Sequence, residues 1–291
     1  MKLNFMNRFD RQIPLRDGRR LGYAEYGDAL GRPVFHFHGF PSSRLEAGLH
    51  HTLLQQRNIR LIAVDRPGCG LSDYQPGRRM LDWPDDVVEL ADALGIGRFG
   101  VLGVSGGGPY ALACAWKIPE RLDAVTLVCG LGPVHDPGLR DVMGWHARLA
   151  FLLARHSPRL LWPVYSGTLA IGVRLWPGTT YVWKMASTPG ADRATLRDVE
   201  VKTCLMASVR ESVRHGSAGV AREALLYTND WGFSLAEIEL PVDLWHGTAD
   251  RIVPPSHTQF IARAVARPRV HLLEGEGHFS LPIRHMGAML G

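Results

Sequence analysis

No stretch of this 291-residue chain approaches the run of about 18 apolar residues that a membrane-spanning helix needs, so no span is expected. The opening residues, Met1 to Leu15, hold no apolar h-region; no secretory leader is read there, and a cytoplasmic location is the expectation. Cysteine is scarce: Cys69, Cys114, Cys129 and Cys204 are widely spaced and form no CxxC pair, which argues against a disulfide framework or structural zinc. Long basic runs are also missing. The formal charge is only +5, and the arginines lie singly or in pairs such as Arg19-Arg20 and Arg78-Arg79, so nucleic acid is not an expected partner. There is no G-x-x-x-x-G-K-[ST] phosphate loop, no internal repeat and no low-complexity tract. Membrane and nucleic acid are therefore not expected partners; a small-molecule substrate, a monomer or homodimer, and no metal or organic cofactor are the expectations that the residues described next carry.

Hydrophobic residues make up 46% of the chain, ordinary for a globular fold. Arg11–Leu15 and Arg20–Tyr26 flank Asp17-Gly18, a dipeptide suited to a tight hairpin turn. Six further apolar runs read as strands: Pro33–His38, Arg60–Val64, Phe99–Val104, Ala124–Cys129, Val242–His246 and Val270–Leu273. Between them lie helical patterns. Leu45, Leu49 and Leu53 recur every four residues and predict one face of a helix. Val87, Leu90, Ala91 and Leu94 predict another, with Pro84 in its first turn and Gly95 at its end. Tyr110–Trp116 is Ala-rich and helix-compatible, and Phe260, Ile261, Ala264 and Val265 follow a Pro254-Pro255 start. Strands alternating with helices predict a mostly parallel, eight-stranded α/β sheet flanked by helices. Residues 135–233 break the rhythm and are rich in Leu, Trp, Arg and Ala, which predicts a helical cap inserted into a core formed by residues 1–134 and 234–291.

Ser105 lies in Gly103-Val104-Ser105-Gly106-Gly107, a G-x-S-x-G sequence between an apolar strand and a helix. A sharp strand-to-helix turn strains the serine backbone and requires small residues two before and two after it. The same turn sets the Gly106 amide at a helix N-terminus, where it can donate to developing negative charge. A Gly-rich turn with Ser105 as a simple helix cap accounts for the motif equally well when it is taken alone.

The partners decide between these readings. A neutral serine needs a base, and His278, in Glu274-Gly-Glu-Gly-His278 after the last apolar run, is the candidate. Asp250 follows the preceding run and can hold the imidazole. No carboxylate occurs in Gly130-Leu-Gly-Pro133, and Asp136 sits beyond that turn. The order Ser, Asp, His is the one that accompanies this motif. His38-Gly39-Phe40-Pro41 supplies a second turn after a strand: Gly39 lets the Phe40 amide face the site, making Phe40 and Gly106 the two oxyanion donors. The Phe40 side chain is expected to form an apolar wall, and His38 to brace the loop.

Together these residues resemble the α/β-hydrolase superfamily, through His38–Pro41, Asp65–Asp73, Gly103–Gly107, Asp250 and Gly277-His278. The resemblance implies that Asp65 and Gly70 form a structural turn and that residues 135–233 are the cap. The H-G-x-P loop is similar to that of epoxide hydrolases and haloalkane dehalogenases, but those use an aspartate where Ser105 stands. Serine fits acyl transfer, so the resemblance points to an esterase or lactonase acting through an acyl-enzyme on Ser105. A hydrolase of carbon–carbon bonds in diketone-like substrates and a non-catalytic receptor share the same framework, and a cyanohydrin lyase would need groups that are not placed here. Substrate choice is expected in the cap, where Trp145, Trp162, Tyr165, Trp176, Trp183, Tyr227 and Trp231 lie; Phe40, Trp145 and Trp231 are read as pocket residues.

Overall fold

The structure is a computed structural model, and it describes residues 10–156 and 190–291. Eight strands form one sheet: β1 (Asp10–Pro14), β2 (Arg20–Gly27), β3 (Arg32–Phe37), β4 (Ile59–Val64), β5 (Phe99–Val104), β6 (Leu122–Val128), β7 (Val242–Gly247) and β8 (Pro268–Leu273). Their order is β1-β2-β4-β3-β5-β6-β7-β8. β2 runs antiparallel to β1 and β4, while every pair from β4 to β8 is parallel. The expected hairpin is present, with Gly18 at a φ of 86° in the turn, a value that glycine reaches without a Cβ clash.

Alternation along the strands divides the core into two layers, one on each face of the sheet. Phe35, Phe37, Ile62, Val64, Val101, Val125 and Leu127 face the layer covered by the helices Trp83–Ala93 and Gly108–Lys117. Val34, Leu61, Ala63, Leu102 and Val128 face the other, where Leu54, Leu281, Met286 and Met289 cover them. Near-continuous burial of β4 and β5 is what a parallel sheet covered on both faces requires. The helix Trp83–Ala93 carries Pro84 in its first turn, and Gly95, at a φ of 68°, follows its end. The helix Ser256–Ala264 starts at Pro255 and buries Ile261.

Two readings change. The leucine spacing at 45, 49 and 53 does not make one helix: a 3₁₀ segment, Arg44–His50, gives way to a short α-helix, His51–Gln56. The tighter 3₁₀ turn shifts the buried face, so Leu54 is fully buried while Leu53 is only partly covered. β6 also ends at Val128, one residue early, because Cys129 takes a φ of 49° and leaves the strand.

Within 135–233 the described residues form helices at Pro137–Arg140, Trp145–His156, Gly190–Leu196, Val199–Ser212 and Ala218–Thr228. Trp162, Tyr165, Trp176 and Trp183 lie outside the described residues.

β4 lies on one side of β3 and β5 on the other, so the loops after β3 and β5 diverge at a switch point. Open α/β sheets bind ligands at such a point, beyond the carboxyl ends of the strands. Phe40 follows β3 and Ser105 follows β5.

Candidate active site

Ser105 occupies the left-handed region at a φ of 53°, a strained conformation for a residue with a side chain. The glycines around it are compelled by space. A Cβ on Gly103 would lie 2.5 Å from the Gly107 carbonyl oxygen, and one on Gly107 would lie 2.0 Å from that of Phe37. Both obstacles are backbone and cannot swing away. The serine therefore projects from the end of β5 on a turn with no slack.

The three distant stretches converge. His278 Nε2 is 3.0 Å from Ser105 Oγ, and His278 Nδ1 is 2.7 Å from Asp250 Oδ2. A carboxylate oxygen only accepts, so Nδ1 carries the proton and Nε2 is left to accept from the serine hydroxyl. Asp250 Oδ1 accepts from the backbone N–H groups of Ile252 at 2.8 Å and Val253 at 3.0 Å, which fixes the carboxylate's orientation. Burial pushes the Asp250 carboxyl up, but the His278 charge and the histidine hydrogen bonds outweigh it and hold the group well below the usual carboxylate range. Asp136 takes no part. It caps the Pro137–Arg140 helix through the Gly138 N–H.

A second histidine, not singled out from the sequence, supports this carboxylate. His246 Nε2 lies 2.8 Å from the Val253 carbonyl and 3.4 Å from Asp250 Oδ2, while Nδ1 meets Thr258 Oγ1 at 2.7 Å. Because the carbonyl only accepts, Nε2 bears the proton and donates it to Val253, which sets the N–H beside the Asp250 carboxylate.

The two candidate oxyanion amides are oriented by what holds their carbonyl partners. In a trans peptide the C=O and the following N–H point in opposite directions. The Gly39 carbonyl accepts from Arg66 Nη2 at 2.9 Å and meets His38 Nδ1 at 2.9 Å, so the Phe40 N–H points the other way. The Ser105 carbonyl accepts from the Leu131 N–H at 3.0 Å, which likewise aims the Gly106 N–H away. Both stretches are in close contact: a Cβ on Gly106 would sit 2.7 Å from Phe40 Cβ. His38 is fully buried, and Arg66 N–H donates toward its Nε2 at 3.3 Å; burial and the Arg66 charge hold it neutral, far below its usual pKa. It braces the loop, as expected.

Asp65 and Gly70 form the structural turn that the resemblance implied. Asp65 accepts from the Arg44 and Leu71 N–H groups at 2.7 and 2.9 Å, and a Cβ on Gly70 would lie 2.0 Å from its Oδ2.

Several supports have no motif behind them. Glu46 accepts from the Gly39 N–H at 2.8 Å and from the Ser42 hydroxyl, and its carboxyl is pushed up to about 7 by burial, against the pull of Ser42, Gly39, Arg66 and His278. Arg66, which holds the His38 and Gly39 carbonyls at 2.6 and 2.9 Å, pairs with a fully buried Glu223 from the helix Ala218–Thr228. Tyr227, one turn further along, donates to the Gly106 carbonyl at 2.8 Å and sets its ring edge-on to Phe40 at 5.3 Å.

Phe40 lies against the Gly106 turn and packs on two apolar groups, Cys69, Val213 and Val220, and Ala154, Ala221 and Ala224. Trp145 and Trp231 do not join it. Trp231 lines a separate cavity of about 440 Å³ with Pro133, His135, Phe233, Phe260 and Arg263, whose walls include none of Ser105, Asp250, His278 or Phe40. The chain leaving the helix Ala218–Thr228 turns there onto the helix Ser256–Ala264. Trp145 is 66% exposed and lies against His146. It sits nine residues, about two and a half turns, before Ala154, and so on the opposite face of its helix.

Cys129 Sγ, an Asp250 oxygen and a His278 nitrogen lie within 4.8 Å of one another, a spacing that could hold a metal ion. Burial drives the Cys129 thiol well above its usual pKa, so it stays protonated and is a poor ligand. Asp250 and His278 already bond each other.

Fold and site together define a hydrolase of the α/β class. The chain belongs to the Alpha/beta hydrolase family, which matches residues 34–289. It is 27% identical over 273 residues to a non-heme chloroperoxidase of Streptomyces lividans, covering 88% of this chain and 89% of that one. Among solved structures, an esterase from Exiguobacterium antarcticum superposes with a TM-score of 0.70 at 18% identity, covering 96% of each chain. The enol-lactonase from Burkholderia xenovorans LB400 gives 0.68 at 18% identity, covering 96% of this chain and 97% of that one. Among the described residues, no helix is long and apolar enough to cross a membrane.

Proposed function

We propose that this protein is a serine hydrolase that cleaves carboxylic esters or lactones of small hydrophobic substrates through an acyl-enzyme on Ser105. The observation that carries the reading is the unbroken line from Ser105 Oγ through the His278 ring to Asp250, at 3.0 and 2.7 Å, starting from a serine in a strained turn. Strain persists only where the surrounding structure enforces it, and a binding protein would have no use for an oriented base.

In the first step His278 Nε2 takes the Ser105 proton as Oγ bonds to the substrate carbonyl carbon. The carbonyl oxygen becomes an oxyanion and accepts from the Phe40 and Gly106 amides. Asp250 stabilises the imidazolium formed at that moment. Collapse breaks the bond to the leaving alkoxide, which receives the proton from His278 and departs as an alcohol. A lactone gives the same product still tethered to its acyl group. Water then gives a proton to His278, adds to the acyl carbon, and releases the acid with the proton returned to Ser105. The apolar residues around Phe40 support a hydrophobic acyl or alcohol portion. The helices of 135–233 act as a cap over this wall.

Labelling with a fluorophosphonate probe tests the nucleophile: the wild-type protein is expected to label and Ser105→Ala to remain unlabelled. Turnover of a panel of esters, lactones and diketones then fixes the bond. Hydrolysis of diketones alone would overturn the ester assignment.

A further inference from the structure

The loop bearing His278 ends in a ten-residue helix, Ser280–Met289, with no side-chain cap of its own. The first N–H groups of a helix lack intrahelical partners and must find acceptors elsewhere. Here they find Asp192, which lies 86 to 88 residues away in the helix Gly190–Leu196, within the segment read as the cap. Its Oδ2 accepts from the His278 N–H at 3.0 Å, and its Oδ1 accepts from Phe279 at 2.9 Å and Ser280 at 2.8 Å. The side chain is fully buried. The fit leaves no room on the loop, since a Cβ on Gly277 would come within 2.4 Å of the carboxylate.

Three donors converging on one buried carboxylate make a charge-assisted clamp, favoured further by the helix dipole. Its first donor is the main chain of the proposed base itself. We propose that Asp192 is a positioning residue for His278: the inserted segment fixes the imidazole's backbone and places a second buried negative charge at the residue that becomes cationic during the reaction. The inference rests on the reading of His278 as general base. It gives the inserted segment a role in chemistry besides enclosing substrate, because displacing the helix Gly190–Leu196 would release the base.

Other groups also act on His278. Asp250 faces Nδ1, Ser105 faces Nε2, Glu46 lies across the site, and Cys129 Sγ faces the Gly277 carbonyl at 4.0 Å. His246 Nε2 lies 3.4 Å from the same Asp250 oxygen that His278 Nδ1 meets. All are untouched in Asp192→Asn, which keeps the shape of the side chain and removes its charge. Asp192→Ala removes both.

The test measures fluorophosphonate labelling rate, the pH profile of kcat/KM on an aryl ester, and thermal midpoint for wild type and both variants. Asp192→Ala is expected to lose about ten- to a hundredfold in kcat and labelling rate, as misplacement of a reacting group does, with KM nearly unchanged. In Asp192→Asn the imidazolium loses a nearby anion, so the acid limb should move to lower pH by about half a unit or more. Folded variants that label at the wild-type rate with an unmoved acid limb would overturn the proposal. Unfolding of both variants would also overturn it, by making Asp192 a residue of stability rather than of positioning. A wild-type protein that does not label would instead sink the reading of Ser105, a result distinguishable from either.

Discussion

The Tyr227 hydroxyl donates to the Gly106 carbonyl at 2.8 Å, joining the helix Ala218–Thr228 to the turn that carries the proposed nucleophile. The two residues are 121 positions apart, and the bond is fully buried. With the Ser105 carbonyl held by Leu131, both peptide units around Gly106 are tied down, and an amide so fixed stabilises an oxyanion without reorganising.

Tyr227→Phe keeps the ring against Phe40 and removes this bond alone. A buried carbonyl left without its donor costs about 1–3 kcal/mol, so the urea midpoint should fall by a corresponding amount. Because the strain falls on Gly106, kcat on an aryl ester should drop severalfold while KM changes little. An unchanged kcat would mean that the Gly106 amide is held without Tyr227.

Glu223 neutralises Arg66, which in turn holds the loop before Phe40. Removing one partner of a buried ion pair leaves a charge uncompensated and costs about 3–5 kcal/mol. Glu223→Ala should therefore destabilise the protein by that order in chemical denaturation, far more than the loss of a surface pair such as Arg98–Asp123, where about 0–1 kcal/mol is at stake. Equal effects would contradict the assignment of Arg66 and Glu223 as the brace of the loop.

Glu46 gives a pH dependence with a definite sign. Its carboxyl is raised to about 7 in the folded protein from an ordinary value near 4.5, so the folded state holds this proton more tightly than the unfolded state. Its contribution to stability is then complete below pH 4.5 and is lost as pH rises through about 7. Glu46→Gln does not titrate. The stability advantage of wild type over Glu46→Gln, measured as thermal midpoints at pH 5 and pH 8, should shrink at the higher pH. A constant gap would contradict the raised value.

Much of the fold was legible because it is written in short-range patterns. Six strands could be read from apolar runs and the first two from the Asp17-Gly18 turn between them, and the parallel sheet follows from the alternation of the runs with helices. The site was legible where chemistry demands a residue type at a fixed place, as at Gly103, Ser105 and Gly107. It was not legible where a contact depends on chain brought in from far away. Asp192 and Glu223 are ordinary acidic residues in sequence, and only tertiary structure turns them into buried acceptors. The leucine spacing at 45, 49 and 53 misled for a related reason: tertiary packing selected a 3₁₀ turn over the helix that the periodicity favours. Aromatic residues in 135–233 carried no directional information, so Trp145 and Trp231 could not be told from Tyr227.

The glycine requirement at the turn can be tested at Gly107. Gly107→Ala would set a Cβ 2.0 Å from the Phe37 carbonyl oxygen, forcing β5 and β3 apart where Ser105 and Phe40 must meet. Loss of ester turnover is expected, with a lowered thermal midpoint. In contrast, Gly97→Ala, where a Cβ meets nothing within 4 Å, should leave both intact. Equal tolerance at the two positions would show that the turn has slack.

The most direct trial of the central claim is intact-protein mass spectrometry after rapid mixing with p-nitrophenyl acetate and acid quench. An acetyl group should appear on wild-type protein, map to Ser105 in the peptide digest, and be absent from Ser105→Ala, which should lose about a thousandfold or more in turnover. A Ser105→Ala protein that hydrolyses the ester at the wild-type rate would contradict the account.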